Sequence, residues 1–292
     1  MKPSIPKAVG VAANLGKPET RELLFDLIKL LEGHQITVYL DQEAAAVAGR
    51  PDQARPLKDI ATETDMIIVL GGDGTILRVA RDMDGAEVPI LGVNLGNLGF
   101  LTSVPSDGLA KAMASILQGE YDVSVRHTIQ TTLLRGGSRM ETHRALNDAV
   151  ISRGAFSRIV RLRLYIDDEW LTEYVCDGMI FATATGSTAY SLSAGGPILM
   201  PAARAYILTP ICPHALSNRP IVADEKSVVR CQVISAAGEL LLTIDGQVQT
   251  RMQVGDEVEV RSSRQAVHLV TPVKHAYFEV LRQKLKWSGS NV

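Results

Sequence analysis

The sequence is poor in several residue types, and each shortage excludes a class of protein. Only 5% of its 292 residues are aromatic, too few for the stacking platforms that bind single-stranded nucleic acid. Its 30 basic and 32 acidic side chains nearly cancel, so it lacks the broad basic surface of a nucleic-acid-binding protein. No apolar run approaches the roughly 18 residues of a transmembrane helix. We therefore expect neither a nucleic-acid partner nor a membrane partner.

Cysteine and histidine are also too few and too scattered to suggest a metal or disulfide framework. The three cysteines, Cys176, Cys212 and Cys231, are far apart in the chain and form no C-x-x-C pair. This pattern favours reduced thiols in a cytoplasmic protein. The six histidines fall in no H-E-x-x-H or similar pattern, so no zinc site is expected. The N-terminus has no long apolar segment of the kind found in signal peptides, and we predict a cytoplasmic location.

The first third of the chain alternates short apolar runs with helical patterns. Strands are predicted at 7–13, 36–40, 66–70 and 90–94. One helix is predicted from about Glu19 to Gly33, and another from an N-cap at Ser106 to about Gln118. This βαβα order predicts a Rossmann-like α/β domain, with a parallel sheet and helices on both of its faces.

Beyond about residue 123 the apolar pattern changes to the period of a strand. In the run 158–168, Val160, Leu162 and Leu164 share one face, as in a half-buried strand. The run 239–252 predicts a hairpin around Asp245-Gly246, and DEVEVRSS and AVHLVTP predict two more strands. The region therefore predicts a β-rich, sandwich-like second domain.

The last segment of the chain has a helical pattern, with Phe278, Leu281 and Leu285 at helical spacing and Val280 as a further candidate. Such a tail can pack back on the first domain. We predict an α/β domain over 1–122 that includes the C-terminal segment 272–292, and a β-rich domain over 123–271.

A glycine loop, Gly71-Gly72-Asp73-Gly74-Thr75, follows the third predicted strand. Ligands of open α/β sheets bind at the carboxyl ends of the strands, where glycines and a helix N-terminus can hold a phosphate. A carboxylate repels phosphate, so Asp73 does not suit simple anion binding. It suits a site in which the carboxylate binds Mg²⁺, accepts a proton from a hydroxyl, or orients that hydroxyl. The alternative is a tight turn that happens to contain an aspartate. The chain has no G-x-x-x-x-G-K-[ST] motif, which argues against a P-loop NTPase.

A second glycine loop, Asn94–Phe100, follows the fourth predicted strand. Two such loops side by side favour a phosphate-bearing ligand. Three polar clusters occur later, at Asn147-Asp148, Asp177-Gly178 and the hydroxyl-rich run Thr185–Pro197, in which Ser187 or Thr188 could cap a short helix. A bulge or turn explains the first two clusters equally well, and a packing crossover of small residues is the alternative for the third. No G-x-S-x-G motif supports a serine hydrolase.

Together these motifs resemble the NAD kinase family. The matching segments keep the order and spacing of that family: GGDGT (71–75), GVNLGNLGFLT (92–102), ND (147–148), DG (177–178), TGSTAYSLSAGGPI (185–198), TPICPHALSNRP (209–220) and DGQ (245–247). GGDGT also occurs in lipid kinases of the diacylglycerol kinase type and, in similar form, in phosphofructokinases. The NLGNLGF loop and the TGSTAYSLSAGGP run are typical of NAD kinases.

The resemblance implies Mg²⁺-dependent transfer of the γ-phosphoryl group of ATP to the 2′-hydroxyl of the adenosine ribose of NAD⁺. It implies a phosphofructokinase-like and diacylglycerol-kinase-like first domain, and a homodimer or homotetramer. Mg²⁺ would be held by phosphates or by Asp73, with no other protein ligand expected.

The resemblance also assigns site residues. Asp73 would accept the proton of the 2′-hydroxyl or orient that hydroxyl. The expected binding residues are, for ribose, Gly74, Asn147 and Asp148; for phosphate, Arg78 and Arg158; for the base and the nicotinamide amide, Thr188, Ala189, Tyr190 and Ser193; and, near the nucleotide, Gly72, Val175, Asp177 and Gln247. Val175 stands where some relatives have a basic residue, which bears on the preference between NAD⁺ and NADH.

Two other functions remain open on the sequence. One is a lipid or sugar kinase that uses the GGDG loop on another acceptor. The other is a non-catalytic sensor that only binds NAD(P). The carboxylate of Asp73 argues against the sensor, because binding alone gains little from a negative charge near phosphate.

Overall fold

The structure is a computed structural model that describes residues 4–14, 16, 18–96, 99–154, 159–272 and 277–287. The chain divides into two compact units. The first consists of residues 1–125 and 267–292, and the second of residues 126–266.

The first unit alternates strands and helices along the chain. They are β1 (Ala8–Ala13), α1 (Pro18–Gly33), β2 (Thr37–Leu40), α2 (Gln42–Ala48), α3 (Leu57–Glu63), β3 (Met66–Leu70), α4 (Asp73–Asp82), β4 (Ile90–Asn94), β5 (Val104–Pro105) and α5 (Leu109–Leu117). The strands pair in parallel in the order β2-β1-β3-β4-β5. This arrangement confirms the predicted parallel α/β sheet.

The burial of β3 and β4 in the first unit explains why their sequences are almost entirely apolar. Every residue of both strands is buried, as expected for central strands of a parallel sheet covered on both faces. Leu24, Leu27 and Leu31 of α1 are fully buried in the same core. The helical period of these leucines is the signal that predicted α1, and that prediction is confirmed.

Three local features of the first unit differ from the prediction. Helices α2 and α3 were not predicted, because each has seven residues and is too short for a clear helical period. The predicted N-cap at Ser106 is wrong. Ser106–Gly108 forms a 3-10 turn that runs directly into α5 at Leu109, and neither has a side-chain cap. Such turns commonly begin α-helices.

The remainder of the chain consists mainly of strands. The elements are β6 (Asp122–Arg135), β7 (Ser138–Ala145), β8 (Asp148–Arg153), β9 (Val160–Ile166), β10 (Glu169–Cys176), β11 (Gly178–Thr183), α6 (Tyr190–Ser193), β12 (Ala205–Ile211), β13 (Ile221–Asp224), β14 (Val229–Ser235), β15 (Leu240–Ile244), β16 (Val248–Met252), β17 (Glu257–Thr271) and α7 (Tyr277–Leu285). Residues 267–292, which include α7, group with the first unit.

Two sets of strands build the second unit. One is a six-stranded antiparallel sheet in the order β13-β12-β11-β8-β15-β16, and the other contains β10-β9-β14-β17 with β6 beside β17 and β7 beside β6. Side chains from both sets, such as Ile151 and Phe181 from one and Leu162 and Cys231 from the other, share one core. This packing is that of a sandwich. It confirms the β-rich, sandwich-like fold predicted for the later part of the chain.

Of three predictions for the later chain, one is wrong, one is confirmed in part and one is confirmed. DEVEVRSS and AVHLVTP belong to one continuous strand, β17, because no glycine or proline breaks the run between them. In α7, Val280 and Leu281 are buried and Leu285 is half-buried, in line with the predicted apolar spacing, but Phe278 is 56% exposed. The hairpin at Asp245-Gly246 is present between β15 and β16. No helix within the described residues is long and apolar enough to cross a membrane.

Candidate active site

Asp73 lies at the first position of α4, where the chain turns sharply from β3 into the helix. Gly71 permits this turn, because a Cβ there would lie 2.4 Å from the Oγ1 of Thr75. The half-buried carboxylate of Asp73 therefore lies at a helix N-terminus, where the partial positive charge of the helix dipole favours an anion.

The carboxylate of Asp73 accepts three hydrogen bonds, from the backbone of the last residue of the second glycine loop and of the two residues after it. The N–H of Phe100 donates to Oδ2 at 2.9 Å, and those of Leu101 and Thr102 donate to Oδ1 at 3.1 and 3.3 Å. Successive N–H groups of this kind form a nest for an anion. The two glycine loops, which follow the neighbouring parallel strands β3 and β4, therefore meet at Asp73.

The other predicted residues of the first unit lie on the same segment, Gly72 as the N-cap of α4 and Gly74 and Arg78 within it. Gly72 is half-buried and Gly74 is exposed, and a Cβ at either would meet no atom within 4 Å. The Nη2 of Arg78 donates to the carbonyl of Ala13 at 3.4 Å and to Oδ2 of Asp41 at 3.1 Å. Arg78 thus ties α4 to the carboxyl end of β1 and to the buried residue that precedes α2.

Asp41 is the buried partner in this arrangement. Its carboxylate accepts the N–H of Ala44 at 2.8 Å and so caps α2. Burial raises the pKa of Asp41, although the hydrogen bonds from Ala44 and Arg78 act in the opposite direction. A cavity of about 300 Å³ adjoins this pair, and Arg55 and Lys58 also line it.

The ND pair of the second unit lies at the start of β8. Asn147 is half-buried, and its carbonyl accepts the N–H of Thr183 at 2.8 Å. Asp148 is only 5% exposed. Burial, and secondly the nearby charge of Asp245, raise the pKa of Asp148 to about 7. The pair is thus a fixed polar group that opens β8, in a region where strand residues are otherwise apolar.

Asp245 holds this pair in place, and sequence reasoning missed its role. Its Oδ1 accepts the N–H groups of Asn147 at 2.7 Å and Asp148 at 3.0 Å, and its Oδ2 accepts that of Leu146 at 2.9 Å. The backbone N–H of Asp245 donates to the carbonyl of Asp148 at 2.8 Å. The ND and DGQ motifs, nearly a hundred residues apart in sequence, therefore form one structure.

Asp177 forms a two-point ion pair with a residue that the sequence did not single out. The Nε and Nη2 of Arg153 donate to its two carboxylate oxygens at 2.8 and 3.2 Å. The Arg153 hydrogen bond lowers the pKa of Asp177. Val175, two residues earlier, is half-buried, and its carbonyl accepts the N–H of His214 at 2.9 Å.

The hydroxyl-rich run forms two short turns of helix, a 3-10 turn at Gly186–Thr188 followed by α6. The predicted cap at Ser187 or Thr188 is wrong, because neither turn has a side-chain cap. The buried hydroxyl of Ser187 instead donates to the carbonyl of Ala184 at 2.6 Å. Small residues are required here, since a Cβ at Gly186 would lie 2.0 Å from the carbonyl oxygen of Asn147.

The predicted binding residues of this run differ in accessibility. Tyr190 is 45% exposed and Ser193 is exposed, whereas Thr188 and Ala189 are half-buried. Gln247 is exposed and follows the Asp245-Gly246 turn. Arg158 lies outside the described residues.

Comparison with known proteins identifies the group to which these features belong. A profile of the ATP-NAD kinase N-terminal domain matches residues 9–121, and a profile of the ATP-NAD kinase C-terminal domain matches residues 146–271. The chain belongs to the NAD kinase family. An NAD kinase of Geobacter metallireducens is 43% identical over 282 residues, covering 96% of this chain and 99% of that protein. An NAD kinase of Syntrophotalea carbinolica is 40% identical over 281 residues, with the same coverage.

Solved structures of NAD kinases share the fold. A crystal structure of yeast NADH kinase complexed with NADH superposes with a TM-score of 0.89 at 30% identity, covering 98% of this chain and 89% of that one. A crystal structure of an NAD kinase from Archaeoglobus fulgidus in complex with ATP gives a TM-score of 0.75 at 23% identity, covering 97% and 100%. The second similarity supports the fold alone.

Proposed function

We propose that this chain transfers the γ-phosphoryl group of ATP to the 2′-hydroxyl of the adenosine ribose of NAD⁺, giving NADP⁺. The observation that carries this function is membership of the NAD kinase family along nearly the whole chain, with relatives named NAD kinase at about 40% identity. The lipid or sugar kinase and the NAD(P) sensor have no comparable support.

Asp73 is the proposed catalytic residue, and it accepts the proton of the attacking hydroxyl or orients that hydroxyl. Phosphoryl transfer depends on positioning and charge stabilisation more than on covalent chemistry. The geometry of Asp73 supports this role, because three backbone N–H groups fix its carboxylate at a helix N-terminus. We propose direct in-line transfer, with Gly72 and Gly74 leaving room for the substrate and Arg78 contacting phosphate.

The proposed dinucleotide contacts of the second unit fall into two groups. Asn147 and Asp148 hold ribose hydroxyls, and Asp177 lies near the nucleotide. The base and amide contacts are Thr188, Ala189, Tyr190 and Ser193, with Val175, Gln247 and Arg158 as further contacts. Support comes from the fixed position of the ND pair and from the exposure of Tyr190 and Ser193 beside a run of small residues.

We propose that the reaction uses Mg²⁺ or another divalent cation. Within the described residues, no group of three or more histidine, cysteine, aspartate or glutamate side chains is placed to hold a metal ion. Both oxygens of Asp73 already accept backbone hydrogen bonds. The donor set therefore suits a cation that arrives on the phosphates of ATP and neutralises their charge.

Two further properties are proposed from the resemblance and the surface. We propose a homodimer or homotetramer, which the large exposed apolar side chains Trp170 and Leu216, 62% and 94% exposed, support. Sedimentation velocity measures this state directly. We also propose a cytoplasmic location, supported by the three free cysteines Cys176, Cys212 and Cys231.

One assay separates the proposed function from its rivals. Purified protein is incubated with ATP, Mg²⁺ and NAD⁺, and NADP⁺ is measured with a dehydrogenase that requires it. Parallel reactions replace NAD⁺ with NADH, a diacylglycerol or a sugar phosphate, and ATP with polyphosphate. NADP⁺ formation that requires ATP supports the proposal. Phosphorylation of the lipid or sugar without NADP⁺ formation contradicts it, and so does binding of NAD⁺ without turnover.

A further inference from the structure

The nest of N–H groups after β4 is occupied by a carboxylate of the chain itself. Phe100, Leu101 and Thr102 all donate to Asp73. Gly99, the residue before them, lies directly against the same carboxylate. A Cβ at Gly99 would lie 2.0 Å from Oδ1, 2.5 Å from Cγ and 2.7 Å from Oδ2 of Asp73. Every atom of the carboxylate group is therefore closer than a side chain at Gly99 allows.

We infer that Gly99 is a positioning residue, and that the loop Gly99–Thr102 serves to fix the carboxylate of Asp73 rather than to bind a substrate phosphate. The inference rests on the proposed function, because it assigns meaning to the orientation of Asp73. The absence of a side chain at Gly99 and the three N–H donors act together. The donors pull the carboxylate against the loop, and only glycine leaves it room there.

The loop is itself held firmly, so a clash at Gly99 falls on the carboxylate. The N–H of Gly99 donates to the Oγ1 of Thr102 at 2.8 Å, and Thr102 is 1% exposed. The next residue, Ser103, donates its N–H to the carbonyl of Gly92 at 3.1 Å and its hydroxyl to the carbonyl of Val270 at 2.8 Å. These bonds tie the loop to β4 and β17.

A methyl group at Gly99 therefore moves the carboxylate of Asp73 away from its three donors. A displacement of about 1 Å in a reacting group can lower a rate about 100-fold. The Gly99→Ala variant should lose turnover, with kcat reduced about 100-fold. KM for NAD⁺ and for ATP should change little, because the three atoms nearest to the methyl group all belong to the Asp73 carboxylate.

A matched control separates positioning from general damage. Gly10 lies in β1 of the same unit, and a Cβ there would lie 2.2 Å from Cγ2 of Ile60. Gly10→Ala thus creates a similar clash against an apolar side chain. It should lower the melting temperature but leave kcat of the folded protein within about twofold of wild type. Gly99→Ala should also lower the melting temperature, because it separates three N–H donors from their acceptor, but unlike Gly10→Ala it should lose kcat about 100-fold.

A double-mutant cycle with Asp73→Ala gives the decisive test, with kcat and melting temperature measured for the wild type, both single variants and the double variant. Asp73→Ala removes the three atoms nearest to the methyl group at Gly99, so Gly99→Ala should change the residual kcat and the melting temperature little in the Asp73→Ala background. Equal losses from Gly99→Ala in both backgrounds would overturn the positioning role.

The outcomes also distinguish this inference from the proposed function. If Asp73→Ala loses most of its turnover but Gly99→Ala keeps that of the wild type, the positioning role is wrong and the catalytic role of Asp73 stands. If Asp73→Ala turns over like the wild type, the catalytic role of Asp73 fails, and the positioning inference fails with it.

Discussion

Asp148 and Asp177 are carboxylates of the same unit, and their surroundings shift their pKa values in opposite directions. Asp148 is buried, faces the charge of Asp245, and has a pKa of about 7. Asp177 forms a two-point ion pair with Arg153, whose hydrogen bond lowers its pKa. Near neutral pH Asp148 therefore changes its charge while Asp177 remains ionised, so of these two carboxylates Asp148 is the one that makes stability depend on pH in that range.

The pH dependence of stability follows from the sign of the Asp148 shift. Its pKa is raised in the folded state, so between about pH 4 and about pH 7 the folded chain binds more protons than the unfolded chain. The cost of ionising Asp148 therefore grows as pH rises through this window. Asp148→Asn removes that cost. We predict that the variant is more stable than wild type, and that its advantage in the free energy of unfolding is larger at about pH 8 than at about pH 5 by up to about 3 kcal/mol.

Urea unfolding of wild type and Asp148→Asn at both pH values measures this difference. Asp177→Asn is the control, since Asp177 is ionised throughout this range and its variant should show no such gain at high pH. A stability difference between wild type and Asp148→Asn that is the same at both pH values would contradict the assignment.

At the scale of elements, Asp245 connects the β15–β16 turn to the start of β8. It satisfies three backbone N–H groups of residues 146–148, and Leu146 and Asp148 are buried. In Asp245→Asn, an amide nitrogen replaces one of the accepting oxygens, so at least one N–H group loses its partner. A buried donor without a partner costs about 1 to 3 kcal/mol, and we predict a loss of about 2 kcal/mol in the free energy of unfolding.

Asp168→Asn provides the control for this prediction, measured by the same urea unfolding. Asp168 in the tight β9–β10 turn has a positive φ of 68°, and Asp245 has one of 49°, but the Asp168 side chain is 86% exposed and pairs with Arg230. Asparagine tolerates this backbone conformation, so the change should stay within about 0.5 kcal/mol. Similar losses at both turns would show that the three hydrogen bonds to Asp245 contribute nothing particular.

The ion pair between Arg78 and Asp41 connects α4 to the N-terminus of α2. The Asp41 side chain is only 5% exposed, so Arg78→Ala leaves a buried carboxylate without its charged partner. Loss of one partner of a fully buried pair costs about 3 to 5 kcal/mol. Because the Arg78 side chain is 29% exposed, we predict a smaller loss of about 2 kcal/mol.

Arg81→Ala on the same helix is the control for this pair. Arg81 and its partner Asp82 are 34% and 36% exposed, and surface pairs contribute about 0 to 1 kcal/mol. Thermal and urea unfolding measure both losses, and KM for ATP tests the proposed phosphate contact of Arg78 separately. Equal stability of the two variants would contradict a structural role for the Arg78 pair.

At the scale of the whole molecule, the sequence predicted those features that depend on local pattern. Buried parallel strands such as β3 and β4 read as unbroken apolar runs, and the leucines of α1 repeat with the period of a helix. The short helices α2 and α3 have too few residues for a period. The orientation of α7 depends on which face finds a neighbour, so Phe278, although spaced correctly, lies in solvent.

In the candidate site, too, some residues could be predicted from local sequence and others could not. Motif order predicted Asp73 and the ND pair, because each sits beside a strand end and is unusual there. The partners of these residues could not be predicted, since they join distant segments through backbone atoms that any residue carries. The bonds from Phe100–Thr102 to Asp73 and from Leu146–Asp148 to Asp245 are of this kind. Gly99 was visible only as one glycine of a loop.

The central claim is that this chain makes NADP⁺ and that the carboxylate of Asp73 is required for the reaction. Initial rates of NADP⁺ formation from ATP and NAD⁺ by wild type and Asp73→Asn, compared at equal folded concentration, test it most directly. We predict ATP-dependent NADP⁺ formation by the wild type and a loss in kcat of about 100-fold or more in the variant, the range expected for a lost acid–base group. Wild-type protein that makes no NADP⁺, or a variant with near-normal turnover, would contradict the account.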